Sequence, residues 1–387
     1  MLGDISTSAE AVRKAISEAG RSLVERQALV EIVALAAVAR EHALVIGPPG
    51  TAKSEAVRRI SRALGGQYFE YLLGRFTEPS EIFGPVDLRK LREGVVETET
   101  AGMLPEAEIA FLDEIFQGST AILNTLLGLL NERKFRRGHT DLDCPLRVCV
   151  GASNALPDDE SLAAFADRFL VRVFLSGVPD PLLEELLQGG WSLNSQAEQC
   201  VASIDDLDNL SKAALDADLA AARPMIAKAV RILRKNGVNL SDRRVVKMQR
   251  LIAAAGVLAG RVVPDSRDLW PIVFVAPTPE QQVLAKECLR DLLSEAENTT
   301  LPVSSEDASH GPRARASRLM QMAHTVLAAE PSSDAGDGFE DWLLKLEGIA
   351  REIDAAFAAD NMPEGLKDAR SRIVQAMARE ESLEVQA

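Results

Sequence analysis

The chain has 387 residues, enough for two or three domains, and its 47% hydrophobic and 26% charged content is that of a globular protein with an ample core. A formal net charge of −15 removes the overall basic field on which nonspecific nucleic-acid binding relies, so DNA or RNA is not an expected partner. The four cysteines and four histidines are scattered, with no CxxC pair and no zinc-ligand spacing, which fits a reducing compartment. MLGDISTSAE lacks a signal-peptide pattern and no apolar run reaches membrane-spanning length, so a cytoplasmic location without membrane insertion is expected.

Residues 8–40 carry Leu29, Ile32, Val33, Ala36 and Ala37 at helical spacing and predict one or two helices. HALVIG is a short buried strand, followed by the loop GPPGTAKS and the helix SEAVRRISRALG, which ends at Gly65 and Gly66. YFEYLLGRF reads as a second strand, and residues 87–103 as a hairpin or irregular insert. EIAFLDEI is a third strand, STAILNTLLGLLNER a helix capped by Ser119 or Thr120, and CPLRVCVGASN a further strand. LAAFADRFLVRVFL turns from helix into strand. Alternating strands and helices predict a three-layer α/β domain around a largely parallel sheet, whose sites lie at the carboxyl ends of strands. Gly47, Asp113 and Asn154 each fall just past a strand.

From about Pro181 the pattern turns wholly helical: PLLEELL, one long helix over AALDADLAAARPMIAKAVRILRKN, SDRRVVKMQRLIAAAGVLAG, SRDLWPIVFV and PTPEQQVLAKECLRDLLSEAE. NTTLPVSSEDASHGP reads as a linker. Beyond it Leu343, Leu346, Ile349, Ile353 and Phe357 mark one apolar face, and Ile373 and Met377 another, of a helical hairpin or partner-docking tail. The expected division is an α/β domain over 1–180, a helical lid over 181–296, a linker over 297–315 and a helical tail over 316–387.

GPPGTAKS has the chemistry of a phosphate-gripping loop. Glycines Gly47 and Gly50 let backbone N–H groups turn inward around phosphates, and the following helix presents its N-terminus. Pro48, Pro49 and Thr51 complete the loop, Lys53 would reach the β and γ phosphates, and Ser54 would ligand Mg²⁺. Ala52 stands where the strict pattern has glycine; with helical dihedrals there, alanine would cost little. Sixty residues after Lys53, IAFLDEI sets Asp113 and Glu114 at a strand tip, the first suited to the Mg²⁺ shell and the second to polarising a water. Asn154, in VGASNALP, can hydrogen-bond that water or the γ-phosphate. Each motif taken singly has a plain structural reading: a glycine turn, a solvated strand end, a turn asparagine.

GPPGTAKS, GRFTEPSEIFGP, GMLPEAEIAFLDEIF, AILNTLLGLLNERKFRRG, GASNALP and AFADRFLVRV together resemble the AAA+ superfamily, and more narrowly the MoxR family with its regulatory ATPase variant A subfamily, over about residues 10–280. Ala52 also matches that subfamily's loop. The resemblance implies an AAA+ P-loop core with a helical lid, binding ATP and Mg²⁺. Lys53 and Ser54 belong to Walker A, Asp113 and Glu114 to Walker B, and Asn154 to sensor 1. Arg168 matches an arginine finger that reaches a neighbouring subunit's nucleotide, and Arg243, with Arg244 as its rival, matches sensor 2. It further implies a hexameric ring and chaperone-like action on a client or adaptor, including partners with von Willebrand factor A domains. VVETETAGMLPEAE resembles the helix-2 insert, which offers Val95, Val96 and Met103 but no aromatic tip, so remodelling rather than threading is expected. The short helical section after residue 300 departs from the subfamily's β-containing partner domain. A weakly hydrolysing nucleotide-gated scaffold, and a DNA-associated motor built on NERKFRRG, are the other readings.

Overall fold

The computed structural model describes residues 2–193, 200–331, 337–357 and 362–384. Two helices, α1 (Leu2–Gly20) and α2 (Gln27–Ala39), lead into strand β1 (Ala43–Ile46), the loop 47–52 and α3 (Lys53–Ala63). Then come β2 (Tyr68–Leu72), the short helices α4 (Pro79–Phe83) and α5 (Leu88–Arg92), and β3 (Ile109–Asp113). Helix α6 (Thr120–Glu132) begins at Ser119, whose hydroxyl accepts from the Ile122 N–H, one of the two caps expected. A hairpin of β4 (Lys134–Arg137) and β5 (Thr140–Asp143), then β6 (Val148–Ser153), α7 (Glu160–Ala166) and β7 (Val171–Phe174), complete the α/β part.

The sheet order is β2-β3-β6-β1-β7, and every pairing is parallel. Apart from the edge strand β2, its strands are buried on both faces, as a covered parallel sheet requires. The two-residue period of a strand divides them between two cores. Ala43, Val45, Ile109, Phe111, Val148 and Val150 join the core under α1, α2 and α3, while Leu44, Ile46, Ala110, Leu112 and Cys149 face the core under α6. The three-layer expectation therefore holds.

Helices α8 (Leu183–Leu193), α9 (Ile204–Leu215), α10 (Ala222–Lys235), α11 (Asp242–Leu258) and α12 (Pro279–Cys288) follow. The single helix expected over 213–236 is broken: Asp216 to Ala221 separate α9 from α10, with an Asp218 carboxylate accepting from the Ala220 N–H. SRDLWPIVFV forms 3₁₀ turns rather than an α-helix. The lid helices do not build a separate core. α9 and α11 pack on α1 and α2, and the eleven residues Leu29–Ala39, apolar but for Glu31, are all buried, as a run with no polar face demands.

Residues 297–315 are not a free linker. They contain α13 (Pro302–Ser309), which packs on α2, and Asn298 and Leu301 are wholly buried. The Asn298 amide donates to the Ala255 carbonyl while its oxygen accepts from the Thr300 and Leu301 N–H groups. A stretch rich in Ser, Thr and Asn thus satisfies its buried backbone internally. Glu31, fully buried in α2, caps α13 by accepting from the Ser304 and Val303 N–H groups. The tail is a three-helix unit of α14 (Pro312–Ala328), α15 (Asp337–Ala356) and α16 (Glu364–Glu384), one helix more than a hairpin. Its own core includes Leu319, Trp342, Leu346, Ile353, Leu366 and Ile373.

Candidate nucleotide site

Three adjacent strands, β3, β6 and β1, end side by side, and parallel pairing puts their carboxyl ends together. Gly47, Asp113 with Glu114, and Asn154 therefore meet although up to 107 residues separate them in sequence. A Cβ at Gly47 would lie 2.8 Å from the Leu175 carbonyl oxygen, so only glycine passes beneath β7 there. Gly50 needs glycine for conformation rather than space, since its φ is +77° and nothing lies within 4 Å of its missing Cβ.

Ala52 does not have helical dihedrals. At φ 56° and ψ 30° it is a left-handed N-cap of α3. That conformation costs an L-residue about 1–2 kcal/mol, so alanine here is strained where glycine would not be. The surroundings impose it. The Arg26 Nε donates to the Thr51 carbonyl at 2.7 Å, its Nη2 to the Ser176 carbonyl at 2.9 Å, and the Thr51 hydroxyl to the Pro48 carbonyl at 2.8 Å. Arg26 is buried, which lowers its pKa; it braces the loop from behind. No local pattern before α2 points to it, which is why the sequence reading passed over it.

Lys53, also buried, donates to the Gly47 and Pro48 carbonyls at 2.7 and 3.0 Å. Burial lowers its pKa, and the nearby Asp113 and Glu114 carboxylates oppose that shift. Asp113 accepts from the Glu114 N–H at 2.9 Å, and Glu114 is left-handed, with φ 49°. The Asn154 amide then donates to Glu114 Oε1 at 2.8 Å. Strained backbone of this sort is concentrated at working sites, and here it turns Glu114 toward Asn154. The Ser54 hydroxyl and Asp113 carboxylate are hard oxygen donors of the kind Mg²⁺ takes, and the neighbouring Glu114 adds negative charge. The donor set fits that ion.

The arginines stand elsewhere. β1 and β7 run in register, Ala43 against Val171 and Ile46 against Phe174. Gly47 leaves one end of this pair while Arg168 enters at the other, so at least the length of a four-residue strand, about 13 Å, lies between them. Arg168 donates to the Ala164 carbonyl, and its Nε is buried without a partner among the described residues. Burial and the adjacent Arg243 cation both lower its pKa. Arg243 donates to Asn131 Oδ1 at 3.0 Å, at the end of α6. Arg244 differs sharply. It is 2% exposed and spends its guanidinium on Asp167 at 2.6 Å and on the Leu170, Val275 and Phe169 carbonyls. It is a strut, which leaves Arg243 as the arginine available to a ligand. Asp167 also lies 3.4 Å from the Ser241 hydroxyl that caps α11. Next to Arg168 in ADRFL, it ties the Arg168 turn to the helix carrying Arg243; sequence reasoning had the residue in view but not its partner.

The insert takes the irregular form of the two expected, with α5 and a single Val86–Thr98 bridge. Its exposed apolar residues include Val96, Leu88 and Leu91, and the aromatic tip absent from it occurs one loop earlier, where Phe76 is 95% exposed. Among the described residues no helix is long and apolar enough to cross a membrane, and no His/Cys/Asp/Glu cluster could hold a metal by itself.

Comparison with known proteins agrees with this architecture. A family model for the MoxR domain of MoxR–vWA–β-propeller ternary systems matches residues 10–212. Two uncharacterized proteins of Methanocaldococcus jannaschii, MJ0812 and MJ0079, are each 34% identical, over 67% of this chain and 69% and 68% of their own lengths. Chaperone MoxR1 of Mycobacterium tuberculosis is 28% identical over 50% of this chain and 52% of its own. The crystal structure of a "putative ATPase" from Cytophaga hutchinsonii superposes with a TM-score of 0.61 at 14% identity, covering 76% of this chain and 97% of that one, a likeness of fold. With more than half its length matched by the family model and these relatives beside it, the chain belongs to the MoxR family of AAA+ ATPases.

Proposed function

We propose that the protein hydrolyses ATP at sites shared between adjacent copies of a hexameric ring, and uses the cycle to remodel or assemble a partner protein. The observation that carries this reading is the separation within one chain. The loop, Asp113, Glu114 and Asn154 occupy one end of the sheet, while Arg168 and Arg243 occupy the other. A cation that cannot reach its own chain's phosphates can serve those of a neighbour.

In this reading the amides of Gly47 and of Gly50–Ser54, with the Lys53 ammonium, grip the phosphates, and Ser54 and Asp113 would hold Mg²⁺. The ion, when bound, neutralises charge on the β and γ phosphoryl oxygens. Glu114 orients the attacking water and takes its proton, and Asn154 fixes the carboxylate for that task. Arg168 of one copy stabilises charge developing on the next copy's γ-phosphoryl, with Arg243 alongside. The ternary systems named by the matching family model support a partner bearing a von Willebrand factor A domain. Leu88, Leu91 and Phe76 provide apolar surface for such contacts.

Steady-state ATPase measurements test the reading. Glu114→Gln is expected to lower turnover by about 10²-fold or more with ATP affinity kept, and Lys53→Ala to abolish ATP binding. An unchanged rate in Glu114→Gln would favour a nucleotide-gated scaffold. Capture from native extract with ATP-loaded Glu114→Gln then identifies the partner.

A further inference from the structure

A second basic site lies away from the loop. A cavity of about 240 Å³ opens between the lid and the amino-terminal end of the sheet, lined by Arg40, Asn131, Arg133, Ser211, Lys247 and Arg250. Water occupies about 30 Å³ in the liquid, so there is room for a polyatomic ion. Arg40 follows α2, Arg133 follows α6, and Lys247 and Arg250 come from α11, so four cations converge from three elements.

Their partners do not neutralise them. Buried Glu41 takes Lys247 at 2.6 Å and Arg250 at 3.1 Å. Asp208 takes Arg147, at 2.6 and 2.8 Å, and Arg40 at 3.3 Å. Arg133 has no carboxylate in hydrogen-bond contact: it donates to the Leu130 and Arg40 carbonyls and contacts His42 Nε2. His42 adds no charge, since burial and Arg133 hold its pKa well below the usual value. Five cations thus face two carboxylates, in a chain whose net charge is −15. Helix C-termini attract cations, which accounts for Arg40 and Arg133 but not for the surplus. The Ser211 hydroxyl supplies an independent sign. It is 3% exposed, lines the cavity, and has no hydrogen-bond partner among the described residues, an expensive state unless a ligand meets it.

We propose that this cavity binds a free phosphate-class anion, orthophosphate or pyrophosphate, through Arg40, Arg133, Lys247, Arg250 and the Ser211 hydroxyl. The site is distinct from the loop at Gly47–Ser54 and does not depend on the ATPase reading.

The test uses the full chain carrying Lys53→Ala, without Mg²⁺ or nucleotide, titrated with orthophosphate and with pyrophosphate and followed by calorimetry and ³¹P NMR. Saturable binding is expected. Arg40→Gln with Arg250→Gln, which leaves Lys247 on Glu41 and Arg147 on Asp208, should weaken it at least tenfold, and Ser211→Val should weaken it as well. Glu41→Gln, which frees two cations, should tighten it, a sign that general destabilisation would not give. Absence of saturable binding, binding that requires an intact Lys53, or equal affinity in the Arg40/Arg250 and Ser211 variants would each overturn the proposal.

Discussion

The two ends of the sheet are built on opposite plans. At the carboxyl end, loops shaped by left-handed Ala52 and Glu114 bring Lys53 close to the Asp113 and Glu114 carboxylates. At the amino end, Arg40, Arg133, Arg168, Arg243, Lys247 and Arg250 crowd together with few carboxylates between them. On the proposed function one end holds phosphates, and the other presents positive charge to a neighbour. The difference teaches why the proposed function needs two copies: within one chain the loop and Arg168 stand at opposite ends of the β1–β7 pair.

Breaking that comparison calls first for separating the halves genetically. Arg168→Ala should keep nucleotide affinity and lose about 10³-fold or more in turnover, the scale of an arginine finger. Mixed with Glu114→Gln, it should recover activity, because each variant supplies what the other lacks; mixtures as inactive as their components would refute action across an interface. The adjacent arginines sharpen the contrast between presenting charge and bracing structure. Arg244→Met strips a buried pair of its cation and should cost about 3–5 kcal/mol in chemical denaturation, whereas Arg243→Met should leave stability nearly unchanged and lower turnover. Equal stabilities of the two variants would reject the strut.

Glu31 offers a control that belongs to neither end. Burial pushes its pKa up to about 7 from 4.5, against the α13 N–H groups that favour its charged form. The folded chain therefore holds this proton more tightly than the unfolded chain. Stability conferred by neutral Glu31 is full below about pH 4.5 and is lost as pH rises to about 7, a change of up to about 3 kcal/mol. Glu31→Gln should flatten that part of the stability–pH curve without changing turnover per folded protein; a curve parallel to wild type would disprove the assignment. The smallest expected effect is at Ala52. Ala52→Gly relieves left-handed strain but loosens the unfolded chain, for a net gain of at most about 1 kcal/mol, while Ala52→Val should lose at least that much. Midpoint shifts in urea would register both, and a stabilising valine would show the strain to be absent.

Much of the carboxyl end of the sheet was legible in the chain because its signals are local. A buried strand followed by GPPGTAKS, and IAFLDEI ending on two carboxylates, each state their geometry within ten residues. The backbone angle at Ala52 was not legible, because Arg26, lying twenty-five residues before Thr51, holds the loop in place. Nor was the choice between Arg243 and Arg244, identical side chains one position apart, which a helix turns about 100° from each other, one toward Asp167 and buried carbonyls and one toward Asn131. Residues 297–315 read as a linker from their composition, but Asn298 and Glu31 supply the hydrogen bonds that let such a stretch be buried.

By itself the sequence determined the strand–helix alternation, the phosphate loop and the carboxylates at the strand tip, since these depend on side-chain periodicity and residues close in the chain. Only the tertiary structure decided that the arginines stand at the far end of the sheet, that Arg244 is internal, and that four cations gather in one cavity with the buried Ser211 hydroxyl. Those outcomes depend on strand order and helix packing, which bring together residues that are remote in the chain and leave no local pattern to read.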